Sequence, residues 1–346
     1  MITSCKRCLF DSTIATIGEK QCEYCDIHDA LESQSKSENL AIELRKIKKH
    51  KGKYNCIMGI SGGLDSSTLL YLAVKEWGLK PLVIHFDNNY NTDIAKQNMD
   101  NLINSLNVDA IYYRVNKLEY DTLNKAFLNA GTPDADIPND IAMTKLMYET
   151  ADKYNIKYIL NGHDFREEGS TPRAWTYMDA EYIRSVYKWY TNKTLTNHPL
   201  FTFKDQIYYT LKGIKQVRPF HYGFNRKEAE DKMTYLCNWK SYGGKHCENI
   251  YTAFVGCELL PNKFGIDKRI VYLSAKLRSG LITRKEALKE LAQKPKHNLK
   301  FNFTYPDTIR ERSYFGKYNF KKYRLLIWLL MKLKVIPFTF YVKYAK

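Results

Sequence analysis

The segment Ser61-Gly62-Gly63-Leu64-Asp65-Ser66-Ser67 constrains this chain more than any other. An apolar run, Cys56 to Ile60, precedes it and reads as a strand; from Thr68 the apolar spacing is helical, and a helix is expected over Ser66–Trp77, ended by Gly78. A strand that enters a glycine turn and opens straight into a helix aims consecutive backbone N–H groups and the positive end of the helix dipole at one point, and such a point binds phosphate. A Walker loop would need a lysine beside its last glycine, and none lies between Ile60 and Leu70. The alternative is an ordinary Gly-Gly turn with Asp65 or Ser66 as a helix cap.

Strand and helix signals alternate from there. Strands are expected at Leu82–Phe86, Ala110–Val115, Lys157–Leu160 and Ile214–Phe220; helices follow Thr92, surround Tyr120–Leu128, run from about Pro138 to Tyr154, and fill Arg226–Trp239 after an Asn225 cap. This alternation means a parallel sheet with helices on both faces, whose ligands bind beyond the carboxyl ends of the strands. Three polar clusters fall there: the serine loop, His85-Phe86-Asp87-Asn88-Asn89, and Asn161 to Gly169. They are expected to converge on one nucleotide, with Gly162 and Asp164 among its contacts and Asp87 near ribose or adenine or helping to hold Mg²⁺. Arg166 and Glu168 are expected to contact substrate.

Cys5-x2-Cys8 and Cys22-x2-Cys25 form two knuckles with the spacing of a tetrahedral zinc site of four thiolates. His28 is a candidate to replace one cysteine, and a redox pair is the alternative reading. The expected organisation is a zinc-binding module at 1–30, a connecting helix at 31–53, the α/β domain at 54–225, a helical region at 226–295 and a basic, apolar tail at 296–346. Cys237, Cys247 and Cys257 read as buried thiols. The first residues show neither the basic start nor the apolar core of a signal segment, so a cytoplasmic protein is expected.

SGGLDSS resembles the pyrophosphate loop of the ATP pyrophosphatases, which split ATP between its α- and β-phosphates. The resemblance implies that Gly62 and Gly63 allow close backbone approach, that Ser61, Ser66 and Ser67 hold the leaving pyrophosphate, and that Asp65 sits beside Mg²⁺. Together with HDFREEG (His163–Gly169), PRAW (Pro172–Trp175), WKSYGGKHCEN (Trp239–Asn249), LPNKFGIDKR (Leu260–Arg269) and SGLITRKEALKEL (Ser279–Leu291), the chain is similar over about residues 5–295 to the N-acetyl sugar amidotransferases of surface-polysaccharide biosynthesis, the WbpG-like enzymes. That resemblance implies conversion of the acetamido group of a nucleotide-linked sugar to an acetamidino group with ATP and ammonia. Lys245, Lys268 and Arg269 are candidates to neutralise phosphate charge, His246 to move a proton, and Arg173 with Trp175 to contact substrate. Cys247 stands where a second histidine is expected. Residue 2 is Ile rather than a nucleophilic cysteine, so the resemblance implies a separate HisH-like glutaminase with a HisF-like partner, or free ammonia.

The net charge is +17, and residues 296–346 hold twelve Lys/Arg against two acids. Within them Tyr323–Lys343 is apolar with basic flanks and too interrupted by lysine and Pro337 to span a bilayer. Two readings stand for it, a helix at the membrane interface and a helix packed on the domain or on a partner subunit. Nucleic acid is not expected as a partner. Two rival functions are a tRNA-modifying pyrophosphatase of the thiolation type and a non-catalytic scaffold of a glycan-assembly complex.

Overall fold

The computed structural model describes residues 2–295 and 297–345. Its elements in chain order are α1 (Glu23–Ser37), α2 (Leu40–Lys48), β1 (Cys56–Gly59), α3 (Leu64–Tyr71), β2 (Pro81–Asp87), α4 (Asp93–Leu106), β3 (Ala110–Arg114), α5 (Lys117–Ala130), α6 (Ile137–Lys153), β4 (Tyr158–Leu160), α7 (Ala180–Thr191), α8 (Phe203–Leu211), β5 (Lys215–Val217), α9 (Arg226–Cys237), α10 (Ile250–Phe254), α11 (Leu260–Phe264), α12 (Arg269–Arg278), α13 (Arg284–Leu291), α14 (Arg324–Lys332) and α15 (Phe338–Tyr344).

The five strands form one parallel sheet in the order β3-β2-β1-β4-β5. Successive residues of a strand point to opposite faces, and β1 shows it: Met58 packs with Leu69, Leu70, Met99, Leu102 and Met233 of α3, α4 and α9. Ile57 packs on the other face with Ala151, Ile156 and Tyr209. Both faces of β1 are dry, which is why its sequence is apolar throughout rather than alternating. The chain leaves β1 toward β2 on one side and returns to β4 on the other, so the crevice beyond β1 and β4 is the topological switch point of the sheet.

The local signals resolve into caps. Thr92 accepts from the Ala95 amide, Asn225 from Glu228, and Thr283 with Glu286 forms a complete capping box. The helix expected over Ser66–Trp77 starts earlier, at Leu64, and becomes a π-helical turn over Leu72–Glu76. The strand expected at Ile214–Phe220 ends at Val217, because Pro219 has no N–H to extend the ladder and opens a short 3₁₀ turn. In place of one connecting helix over 31–53, α1 rises directly from the second knuckle, with Cys22 as its N-cap and Cys25 in its first turn.

Residues 297–320, read from the sequence as part of a tail, are inlaid in the domain. Phe315 lies in the core of α5, α7 and α10–α11, with Phe301, Phe303, Tyr305 and Tyr318 packed around it. Arg312 reaches the fully buried carboxylate of Asp134 through Nε at 2.6 Å and Nη2 at 2.9 Å, and Tyr182 donates to the same carboxylate. Removing one partner of a buried pair leaves the other charge without compensation. Arg312→Ala should therefore lower stability by about 3 kcal/mol, measured by urea unfolding, while Lys317→Ala on the same strap changes it little.

Candidate active site

The turn after β1 is held by its own serines. Ser66 Oγ donates to the carbonyl of Gly63 and receives the amide of Ser61, and the amide of Gly63 turns onto Ser61 Oγ. Gly62 has φ of +77°, and a Cβ there would collide with the carbonyl of Ala95 at the start of α4. This is the position where only glycine lets two backbones meet. The Gly62 carbonyl accepts the indole N–H of Trp239 (3.0 Å) and the Asn98 side-chain amide (3.2 Å), which also joins the backbone of Lys240. His85 fixes the entry to the loop, donating from Nδ1 to the carbonyl of Ile60 and accepting from Asn91 at Nε2.

The Trp239–Asn249 run thus lies across the loop. Tyr242 brings its hydroxyl beside Gly63, at the N-terminus of α3, and burial pushes its pKa up. The same hydroxyl and Glu248 Oε1 would lie 3.2 Å and 3.5 Å from a Cβ built on Gly63. Glu248 Oε2 is buried without a hydrogen-bond partner, and burial together with the nearby charge of Asp65 pushes its carboxyl up to about 7. Asp65 itself is paired with Arg226 Nη1 at 2.5 Å, from the first turn of α9.

A cavity of about 890 Å³ opens beside the loop. Ser61, His85, Phe86, Asn88, His163 and Glu168 line its strand-end side, while Lys245 to Asn249, Lys268 and Arg269 line the opposite wall. Asp136 and Asp140 project from the first turn of α6, with Asp136 held by Asn139 Nδ2 at 2.7 Å and by Thr252. A smaller cavity of about 290 Å³, lined by Leu64, Glu167, Arg226, Glu230, Tyr242 and Lys276, meets the first along the Gly243–Lys245 backbone.

Several residues singled out in the sequence are taken up by other partners or lie outside the cavity. Arg269 lines the cavity, but its guanidinium is spent on Asp267 and on the carbonyls of Glu290, Leu291 and Gln293, so it clamps α12 to α13. Asp87 takes Arg114 and the Asn89 amide outside the cavity. Asp164 is only 2% exposed and caps the Arg166 amide, and Arg166 bonds Glu32, Ser35 and the His221 carbonyl, joining this turn to α1. Arg173 and Trp175 sit against the cysteine module, where Tyr24 receives the Arg173 amide. Gly162 serves by absence of a side chain, since a Cβ there would touch the carbonyl of Asp65.

Glu168 and Lys245 do meet in the cavity, paired at 3.1 Å. His246 lines the cavity with a left-handed backbone, and desolvation in the cleft, followed by the charges of Lys245 and Lys268, pushes its pKa down, which favours the neutral imidazole over the imidazolium. Ser67 Oγ is buried without a partner under the loop. Sequence reasoning missed Arg226, Tyr242 and Glu248, although WKSYGGKHCEN marked the run that carries two of them. The Cys247 and Cys257 thiols are neighbours in the cavity wall, each shifting the other's titration.

The four knuckle sulfurs lie within 4.8 Å of one another, at 3.6 Å for Cys8–Cys22 and Cys22–Cys25 and 3.8 Å for Cys5–Cys25. Four sulfurs about 2.3 Å from a single ion form a tetrahedron with edges of about 3.8 Å, so these residues fit one tetrahedral metal ion; an iron–sulfur core would hold its cysteines farther apart. His28 is buried edge-on against Phe165 and stays outside the sulfur cluster. Arg278 of α12 donates to Cys25 Sγ (3.4 Å) and Cys8 Sγ (3.2 Å), placing a cation against the sulfur cluster, and Arg284 donates to the carbonyls of Cys5, Lys6 and Cys8.

Fold and site together define a parallel α/β domain with a glycine- and serine-rich turn at its switch point, a four-cysteine module beside it that fits a metal ion, and a helical C-terminal region lining the cavity. Residues 248–326 match the family model described as the C-terminal domain of WbpG-like LPS biosynthesis proteins. An uncharacterized protein of Methanocaldococcus jannaschii is 24% identical over 257 residues, 73% of this chain and 77% of that one. Among solved structures, the NH3-dependent NAD synthetase of Campylobacter jejuni aligns at 14% identity over 42% of this chain and 58% of its own, with a TM-score of 0.28. The NMN synthetase of Francisella tularensis aligns at 13% over 67% and 92%, with a TM-score of 0.30. The U34-tRNA thiolase NcsA of Methanococcus maripaludis, with its [4Fe-4S] cluster, aligns at 13% over 82% and 91%, with a TM-score of 0.35. Overlaps this loose carry nothing about activity, and the fold stands on the sheet itself.

Two outcomes follow for these sites. Burial pushes the Asp164 carboxyl up to about 7 from 3.8, so the fold prefers its protonated form and loses stability as pH rises from about 4 to about 7. Asp164→Asn should flatten that slope and be more stable at pH 8 by on the order of 2 kcal/mol, read from urea melts across pH. Metal analysis should find one ion per chain at the knuckles, with Cys22→Ser losing the ion and the thermal transition falling with it.

Proposed function

We propose that this chain is an ATP-dependent amidotransferase that converts the acetamido group of a nucleotide-linked N-acetyl sugar to an acetamidino group, in the biosynthesis of surface polysaccharide. One observation carries the reading: the segment that matches the WbpG-like C-terminal domain forms a wall of the same cavity that the serine loop opens into. An amide oxygen is a weak nucleophile and its carbon a weak electrophile. The oxygen therefore attacks the α-phosphorus of ATP, pyrophosphate leaves, and ammonia adds to the O-adenylyl imidate and expels AMP.

In this reading the α3 N-terminus and the hydroxyls of Ser61 and Ser66 would receive the leaving pyrophosphate, with the buried Ser67 hydroxyl behind them, and Tyr242 would leave the helix end. Asp65 and Glu248 would hold a magnesium ion, which supplies charge neutralisation on the phosphates; the partnerless oxygen of Glu248 suits that duty. Arg226, paired with Asp65, and Lys245, paired with Glu168, would be the cations that offset the departing charge. Asp136, Asp140 and Asn139 offer acceptors and a donor for sugar hydroxyls. Zinc is the ion proposed for the knuckles, and ammonia is proposed to come from a separate HisH-like glutaminase with a HisF-like subunit.

A second reading, sulfur transfer to tRNA, is favoured by the adjacency of Cys247 and Cys257. Mass spectrometry separates the two. Candidate UDP- and CMP-linked N-acetyl sugars, incubated with ATP, Mg²⁺ and ammonia, should give a product lighter by the difference between O and NH, with AMP and pyrophosphate formed in equal amount. Asp65→Ala should cut pyrophosphate release at least about 100-fold and Glu248→Gln about 10- to 100-fold with a raised Mg²⁺ requirement. Cys247→Ser with Cys257→Ser should leave amidination intact. Failure to convert any candidate, with thiolation of tRNA lost in the cysteine variant, would establish the second reading instead.

A further inference from the structure

The helix α14 is apolar on every side, yet only part of it is covered. Ile327 is buried, and Leu330 and Met331 pack with it against Phe203, Ile207, Phe340 and Tyr341 of α8 and α15. The opposite side shows Leu325 (78% exposed), Leu333 (64%), Leu326, Leu329 and Trp328 to solvent, with Tyr323 beside them. A helix of a globular domain that is apolar all round is ordinarily buried all round. An uncovered cluster of this kind marks a surface that something else covers.

The charges around it point to the occupant. Lys321, Lys322, Arg324, Lys332 and Lys334 are all exposed at the two ends of the helix, and no Asp or Glu occurs anywhere from Arg312 to Lys346. None of the five forms an ion pair with an acid among the described residues. Aliphatic side chains in the middle, a Trp and a Tyr at the edge and cations at both ends are complementary to the acyl boundary and headgroups of an anionic lipid leaflet. With nine residues α14 is far too short to cross a bilayer, and no described helix is long and apolar enough to do so. It can only lie in the plane of the surface.

We propose that the chain docks on anionic membranes through this face of α14, with Leu325, Leu326, Trp328, Leu329 and Leu333 entering the headgroup boundary. The proposal stands apart from the catalytic reading, since the face lies outside both cavities. The full chain, without substrates, is sedimented with vesicles of phosphatidylcholine alone or an equimolar mixture with phosphatidylglycerol. Binding to the mixed vesicles, weakened by salt, is expected. Leu325→Ser with Leu329→Ser should reduce it at least about tenfold, and Lys322→Gln with Lys332→Gln should reduce it about fivefold per lysine. All four positions are exposed, so melting curves should match the native chain and exclude misfolding. The proposal is overturned if the native chain stays in the supernatant, if neutral vesicles bind it as well as anionic ones, or if the leucine variant binds like the native chain. A concentration-dependent dimer broken by the leucine substitutions, without vesicle binding, would assign the face to a second copy and overturn it equally.

Discussion

The carbonyl of Gly62 is the junction on which the site depends. It receives the Trp239 indole and the Asn98 amide, while the missing side chain of the same residue lets the turn press against the first turn of α4. Three segments distant in sequence are thereby fixed at the end of the central strand: the serine turn, the helix after β2, and the run from Trp239 to Asn249. A buried carbonyl with two donors, one from an indole that has no acceptor to offer, is a directional constraint rather than mere burial. It sets where Tyr242 and Glu248 stand, and through them what the N-terminus of α3 faces.

What could be read from the sequence was whatever is written in short-range pattern. The strand before Ser61–Ser67, the Thr92, Asn225 and Thr283 caps and the paired knuckles each need only residues a few positions apart and stand where that pattern puts them, while the helix after the loop begins two residues early, at Leu64. Arg226 meets Asp65 across 161 positions, and nothing in the Asn225-Arg226 neighbourhood announces more than a helix start. Some basic residues show the opposite case, a local pattern whose long-range partners are invisible in it. Arg269 stands in a motif rich in cations, but five donors in a planar fork are easily consumed by carbonyls, and the C-terminal end of α13 supplies them. Arg166 and Asp164 were drawn inward by α1, an element whose packing position no local pattern discloses.

Charge tells a similar story. The excess of +17 suggests a uniformly cationic surface, yet Arg310 and Arg312 are spent inside the fold on the carbonyls of Asn129 and Ala130 and on Asp134. The strap that carries them is sewn in by aromatic rings, so the polypeptide beyond residue 296 belongs to the core up to Tyr318 and becomes peripheral only at α14.

The helix α12 belongs to two sites at once. Its last residue, Arg278, holds two of the knuckle thiols, Val271 packs against the cysteine module and lines the larger cavity, and Tyr272 lines both cavities. An ion held by the four sulfurs would favour this placement of α12, and linkage is reciprocal: a ligand favouring the same placement would strengthen the hold on the ion. Even without touching a ligand, the cysteine module would in this way be a thermodynamic partner of the cavity wall, because the two are built on one helix.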